Sequence, residues 1–170
     1  MIELIIGGAR SGKSAHAERQ ALDSGLQVTY LATAQALDEE MAQRIVHHRA
    51  RRPSGWRSVE EPLVLAEALA REAAPDRCVL VDCLTLWLSN VLLAGRDGEI
   101  GKLLETLPTL PGRLLLVSNE VGWGIVPENA LARRFRDEQG RLNQRVAALA
   151  GRVTLVAAGL PLVLKQGAPS

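Results

Sequence analysis

A surplus of positive charge is missing from this chain: 20 lysines and arginines face 19 aspartates and glutamates, for a formal net charge of +1. Proteins that track a polynucleotide spread a basic excess over one face, so no nucleic-acid partner is indicated. Aromatic residues are scarce at 3%, and Trp56, Trp87 and Trp123 are too dispersed to build a platform for stacked bases. No apolar run approaches the roughly 20 residues that cross a bilayer. The start, MIELIIGG, lacks the basic residues and the longer apolar stretch of a signal peptide. A cytoplasmic protein without membrane insertion is expected. Cysteine is limited to Cys78 and Cys83, both in or beside an apolar run and not spaced as a CxxC metal pair. They read as reduced core thiols. Repeats, low-complexity tracts and linkers are also absent.

What is present is apolar content of 47% over 170 residues, enough to bury one core, and a single domain spanning 1–170 is expected. Short β-branched runs alternate with segments of helical period, the pattern of an α/β fold with a parallel sheet covered by helices on both faces. Ile2 to Ile6, Gln27 to Ala32, Cys78 to Asp82, Arg113 to Ser118 and Arg152 to Ala157 are predicted strands, five parallel ones in all. Lys13 to Leu22, Asp38 to Arg51, Leu63 to Ala73, Leu84 to Leu93 and Asn129 to Ala150 are predicted helices. In the last, Leu131, Phe135, Leu142, Val146 and Leu149 fall on one stripe, with arginines on the other faces. The stretch from Ala94 to Gly112 is the weakest, a short helical piece among glycines and prolines, and the chain after Pro161 reads as a loose tail.

The sharpest motif is GGARSGKS, Gly7 to Ser14, which fits G-x-x-x-x-G-K-S, follows a predicted strand and opens a predicted helix. Backbone N–H groups of Gly7, Gly8, Ala9, Arg10, Ser11 and Gly12 are then placed to turn inward around phosphate oxygens, and the helix N-terminus adds its partial positive charge. Lys13 is expected to neutralise the β- and γ-phosphates, and Ser14 to offer its hydroxyl to Mg²⁺. Asp82 ends the run CVLVD; a carboxylate there is costly unless it faces a site or a cation, which makes it the second metal-side candidate, with a helix cap as the plainer alternative.

Two further segments carry chemistry. DEEMAQRIVHHRARR, Asp38 to Arg52, holds adjacent histidines among Arg44, Arg49, Arg51 and Arg52, a cluster that suits anions. On a helix Met41, Ile45 and His48 share one face, while His47 lies with Glu40, Arg44 and Arg51 on another. Periodicity alone makes His48 a half-buried packing residue and His47 a solvated one; the alternative is that one imidazole attacks phosphorus. His16, four residues after Gly12, reads as structural. SNEVGWGIVPEN follows the fourth predicted strand, where open α/β sheets place ligand-binding loops, and Asn119 and Glu120 are candidates for orienting a substrate hydroxyl or a metal-bound water. The plain alternative is a surface turn in which Asn129 caps the next helix.

Taken together, GGARSGKS, YLATAQALDEEMAQRIVHHRARRPSGWRSVEEP, VLVDCLTLWLSN, SNEVGWGIVPEN and RRFRDEQGRLNQRVA resemble the bifunctional adenosylcobinamide kinase/adenosylcobinamide-phosphate guanylyltransferase family of cobalamin biosynthesis, in the family's order, from about Ile2 to Leu164. The resemblance implies a RecA-like P-loop fold, commonly assembled as a homotrimer. It implies phosphorylation of adenosylcobinamide by ATP or GTP, then transfer of GMP from GTP through a histidine to adenosylcobinamide phosphate. The family's H-R-x-x-R-P pattern matches His48, Arg49, Arg52 and Pro53, which points to His48 as the guanylylated residue. Its nucleotide contacts carry over to Ala32, Thr33 and Ala34, to Arg49, Ala50, Arg51 and Arg52, to Glu60 and to Asp82. The residues by themselves also admit a plain P-loop kinase or ATPase, a non-catalytic nucleotide switch, and a DNA-handling RecA relative, the last disfavoured by the neutral charge.

Overall fold

Apolar runs flanked by helical segments should pair side by side with both faces covered, and the computed structural model, which describes residues 1–35, 53 and 55–167, shows this. The elements in chain order are β1 (Ile2–Gly7), α1 (Lys13–Asp23), β2 (Gln27–Ala32), β3 (Arg57–Glu60), α2 (Leu65–Glu72), β4 (Arg77–Asp82), α3 (Leu84–Leu93), α4 (Gly98–Thr106), a 3₁₀ turn (Leu107–Thr109), β5 (Arg113–Asn119), α5 (Ala130–Leu149), β6 (Arg152–Ala157) and β7 (Leu160–Gln166). They form one sheet in the order β3-β2-β4-β5-β1-β6-β7. All neighbouring pairs are parallel except β6 and β7, which form an antiparallel hairpin.

Alternation along each central strand divides the core in two. Leu4, Val79, Val81, Leu114 and Leu116 point to one face, where they meet Leu65, Leu69, Trp87, Leu88, Leu103, Leu142 and Val146 from the helices. Ile5, Cys78, Leu80, Leu115 and Val117 point to the other, packed with Ala17 and Ala21 of α1. The small alanines let α1 lie close to the sheet, which brings its N-terminus down beside the carboxyl ends of β1 and β5.

The structure amends the sequence reading in four places. Among the described residues the sheet has seven strands, not five. β3 was not foreseen because RSVE is a short, mostly exposed edge strand with little apolar signal. β7 replaces the expected loose tail: Ala158 and Gly159, at φ 51° and 80°, make a tight turn that returns the chain along β6. Pro161 is accommodated because β7 is an edge strand. The stretch from Ala94 to Gly112 contains α4, which anchors itself through buried Leu103 and Leu104. In α5 the expected stripe is buried only in part: Leu142 and Val146 are core, Leu131 and Leu149 are 49% and 38% exposed, and Gln139 and Asn143 are buried with the two core residues instead. The predicted helix from Asp38 to Arg51 lies outside the described residues. Among the described residues no helix is long and apolar enough to cross a membrane.

Candidate active site

The carboxyl ends of β1, β2, β4 and β5 converge at one edge of the sheet, the edge at which open α/β folds bind ligands. There β1 runs into the glycine loop. A side chain on Gly7 would place its Cβ 2.3 Å from Val156 O and 2.6 Å from Ser11 Oγ, so only glycine fits. Arg10 at φ 55° and Gly12 at φ 95° turn the loop through left-handed conformations. The hairpin turn between β6 and β7 braces it from outside, with Gly159 N donating to Ser11 O at 2.8 Å and Gly159 Cα 3.1 Å from where a Cβ on Gly12 would sit. α1 then begins with Gly12 at its cap and no side chain bonded to its first amides. Its free N–H groups and dipole therefore face the loop. Lys13 is buried and its Nζ donates to Gly8 O at 3.0 Å. Arg10, Ser11, Gly12, Lys13, Ser14 and Glu18 line a cleft of about 370 Å³ over this loop.

Asp82 stands at the end of β4, in register with Ala32 of β2 and Val117 of β5. Its Oδ2 accepts a hydrogen bond from the Tyr30 hydroxyl at 2.8 Å, and it caps no helix: the residue before α3 is Cys83, which makes no side-chain cap bond. The Asp82–Cys83 peptide bond is cis. Burial, followed by the Asp82 carboxylate, pushes the Cys83 thiol up to about 11, with Lys13 acting weakly in the opposite sense. Cys78 is likewise buried and its thiol is raised, chiefly by burial, and both cysteines are free, as core thiols should be.

Thr33 directly follows β2. It is fully buried, its Oγ1 donates to Cys83 O at 2.7 Å and accepts from Cys83 N at 3.0 Å, and its carbonyl accepts from Asn90 Nδ2 at 2.9 Å. Its hydroxyl ties the exits of β2 and β4 together and thereby sets the position of Asp82. Ala32 is buried beside it, Ala34 half-buried, and Glu60 is exposed at the end of β3, in register with Ala32. His47, His48, Arg49, Ala50, Arg51 and Arg52 lie outside the described residues.

Asn119 closes the site on the other side. It is in register with Gly7, its N–H donates to Thr85 Oγ1 at 2.7 Å, and the following Glu120 N donates to Gly7 O at 3.1 Å. Glu120 Oε1 accepts from Gly122 N at 2.6 Å, and beyond it Trp123, Ile125 and Val126 are exposed. Asn129 does cap α5, accepting from Leu131 N at 2.8 Å and Ala132 N at 3.1 Å. The plainer reading of this segment, a turn whose Asn129 caps the next helix, therefore holds. His16 is buried behind the phosphate loop; burial first, then the Arg19 charge, holds its imidazole below the usual range, in keeping with a structural role. Sequence reasoning missed Tyr30, Thr85, Gln139 and Asn143. The last two left a trace, as amides standing where the apolar stripe of α5 calls for leucine.

A second cavity, about 410 Å³, lies at the opposite end of the sheet against the first residues of β2 and β4, with Trp56, Arg57 and Arg77 among its walls. It is larger, but among the described residues that line it there is no glycine loop, helix N-terminus or strand-end carboxylate.

A strand, a glycine loop with a lysine and a helix N-terminus, set at the carboxyl edge of a mainly parallel sheet, define a P-loop nucleotide-binding protein. The fold is RecA-like: the chain is similar to the RadB recombinase, with a TM-score of 0.52 and 16% identity, covering 91% of this chain and 73% of that one. It is similar also to a Pyrococcus horikoshii OT3 protein of known structure, with a TM-score of 0.54 and 11% identity, covering 97% and 86%. More particularly, residues 3–164 match the model of the cobinamide kinase/cobinamide phosphate guanyltransferase family, and the chain belongs to that family. The bifunctional adenosylcobalamin biosynthesis protein CobP of Pseudomonas aeruginosa is 59% identical over 97% of this chain and 98% of its own length. The CobU proteins of Salmonella typhimurium and Escherichia coli, carrying the same description, are each 44% identical over 97% of this chain and all of their own lengths.

Proposed function

We propose that residues 1–170 form one catalytic domain that phosphorylates adenosylcobinamide with ATP or GTP and then joins GMP from GTP to adenosylcobinamide phosphate, releasing pyrophosphate and giving adenosylcobinamide-GDP. The observation that supports this reading most is the meeting of Gly7–Ser14, Asp82 and Asn119 at one sheet edge in a chain of this family. In the kinase step the acceptor hydroxyl oxygen bonds to the γ-phosphorus as the β–γ bridging bond breaks. The nucleoside diphosphate leaves with that electron pair, and the hydroxyl proton passes to solvent. The loop amides of Gly7, Gly8, Ala9, Arg10, Ser11 and Gly12 hold phosphate oxygens, and Lys13 offsets the charge that moves toward the leaving group.

In the second step a ring nitrogen of His48 bonds to the α-phosphorus of GTP and pyrophosphate leaves. An oxygen of the corrinoid phosphate then displaces the imidazole, dividing one transfer between two large substrates into two. Arg49, Arg51 and Arg52, with the backbone at Ala50, suit the phosphates, and the family resemblance adds Ala32, Thr33, Ala34 and Glu60 as further nucleotide contacts. Among the described residues no three His, Cys, Asp or Glu side chains cluster to cage a metal. Mg²⁺ bound with substrate phosphates takes only one or two protein oxygens, so the hydroxyl of Ser14 and the carboxylate of Asp82 fit it. When bound it supplies Lewis-acid charge at the phosphates. A homotrimer in the cytoplasm, with no nucleic-acid partner, completes the reading.

The test is incubation with Mg²⁺ and GTP labelled at either the α- or the γ-phosphate, followed by denaturation, for wild type, His47→Ala and His48→Ala. Acid-labile α-label retained by wild type and His47→Ala but lost in His48→Ala is the expected result. Loss only in His47→Ala moves the nucleophile by one residue; no label on a folded, nucleotide-binding wild type removes the covalent step.

A further inference from the structure

α5 carries Arg136, Gln139 and Asn143 on one stripe at helical spacing. Gln139 and Asn143 are buried among leucine and valine, where an unbonded amide costs about 1–3 kcal/mol and an apolar side chain would pack without that cost. Their bonds show what the helix gains. Gln139 Nε2 donates to Ser118 Oγ at 2.9 Å and to Asn143 Oδ1 at 3.0 Å, and Ser118 Oγ donates to the same Oδ1 at 2.6 Å. Asn143 Nδ2 donates to Asn119 O at 3.1 Å, and Arg136 Nη2 donates to Gly122 O at 2.5 Å. One helix face therefore grips Ser118, Asn119 and Gly122, bracketing the exit of β5.

That exit abuts the phosphate loop. Glu120 N is bonded to Gly7 O, and Asn119 Oδ1 is buried with no partner among the described residues. An unpaired amide oxygen on the residue in register with the first loop glycine suits a donor that arrives with substrate, such as a hydroxyl.

We propose that the Arg136–Gln139–Asn143 stripe is a positioning device that holds Asn119 and Glu120 at the reacting end of the phosphate loop, where Asn119 Oδ1 orients the acceptor hydroxyl. The assignment rests on the reading of Gly7–Ser14 as a nucleoside triphosphate site, and it names residues about two to four turns into α5, outside the lining of the loop cleft. Binding and turnover should separate. The stripe does not form the cradle, so nucleotide affinity depends little on it, whereas orientation of the acceptor is felt only during transfer.

The experiment compares wild-type full chain with Asn143→Leu, Gln139→Leu and Arg136→Gln, measuring Kd for Mg·GTP, kcat and KM for cobinamide phosphorylation, and amide hydrogen exchange at Glu120 and Gly122. Expected in each folded variant are a Kd within about threefold of wild type, a kcat lower by about 10- to 100-fold, and faster exchange at Glu120 and Gly122. Wild-type kcat in folded variants overturns the proposal, as does a fall in kcat matched by an equal loss of Mg·GTP affinity. Arg136→Gln leaves the core amides in place and decides the question if the leucine variants do not fold. A wild type that binds Mg·GTP but leaves cobinamide unphosphorylated defeats the functional reading instead; exchange at Glu120 unchanged by all three substitutions then defeats the clamp separately.

Discussion

Replacing Gly7 by alanine tests how the phosphate loop is built. The added methyl would sit 2.3 Å from the carbonyl oxygen of Val156 and 2.6 Å from Ser11 Oγ. Carbon and oxygen ordinarily approach to about 3.3 Å, so about 1 Å must be recovered. The serine can rotate, but Val156 lies in β6, which pairs with β1 on one side and β7 on the other. Its carbonyl can retreat only by loosening that ladder. Overpacking against backbone costs about 3 kcal/mol, at the upper end of what extra methylenes cost in packed interiors. For a chain of 170 residues this lowers the melting temperature by about 6–12 °C. Gly8→Ala is the control: no atom lies within 4 Å of its Cβ and its φ is not in the left-handed region, so its stability should stay within about 1 kcal/mol of wild type. Scanning calorimetry of the two variants in parallel gives the answer. Equal shifts, or an unshifted Gly7→Ala, would refute the argument that Val156 and the glycine loop are mutually fitted.

Two further outcomes follow from the other strand exits. Thr33→Val keeps the shape of the side chain but strips both Cys83 backbone groups of their hydroxyl partner, so urea unfolding should show a loss of about 2 kcal/mol with an unchanged slope. Cys83 titrates in the native state near 11 against an ordinary 9.0, and a raised pKa means the native state favours the neutral thiol. Its contribution is therefore complete below pH 9 and is lost as pH rises toward 11, on the order of 3 kcal/mol. The difference between wild-type and Cys83→Ala stability curves should shrink across that window, and a pH-independent difference would refute the burial argument.

The glycine loop was legible because its requirements are local. A strand end, glycines that admit left-handed turns and a lysine at the start of a helix are all written within Ile2 to Asp23, and no distant residue is needed to recognise them. Periodicity likewise reveals β2, β4, β5 and β6, since strands buried on both faces read as near-continuous apolar runs. Asp82 stood out because a carboxylate ending such a run needs a reason.

The edges and the polar interior were decided only by the tertiary structure. β3 and β7 acquire their conformation from the strand beside them, and β7 has no buried face of its own to mark it in the sequence. That the Thr33 hydroxyl bonds to the backbone of Cys83, 50 residues away, is visible only once the fold brings the two together. Gln139 and Asn143 interrupt an apolar stripe for a reason visible only once β5 brings Ser118 and Asn119 beneath them. Local propensity is encoded in neighbouring residues, whereas a buried polar side chain takes its meaning from the partner that the fold delivers to it.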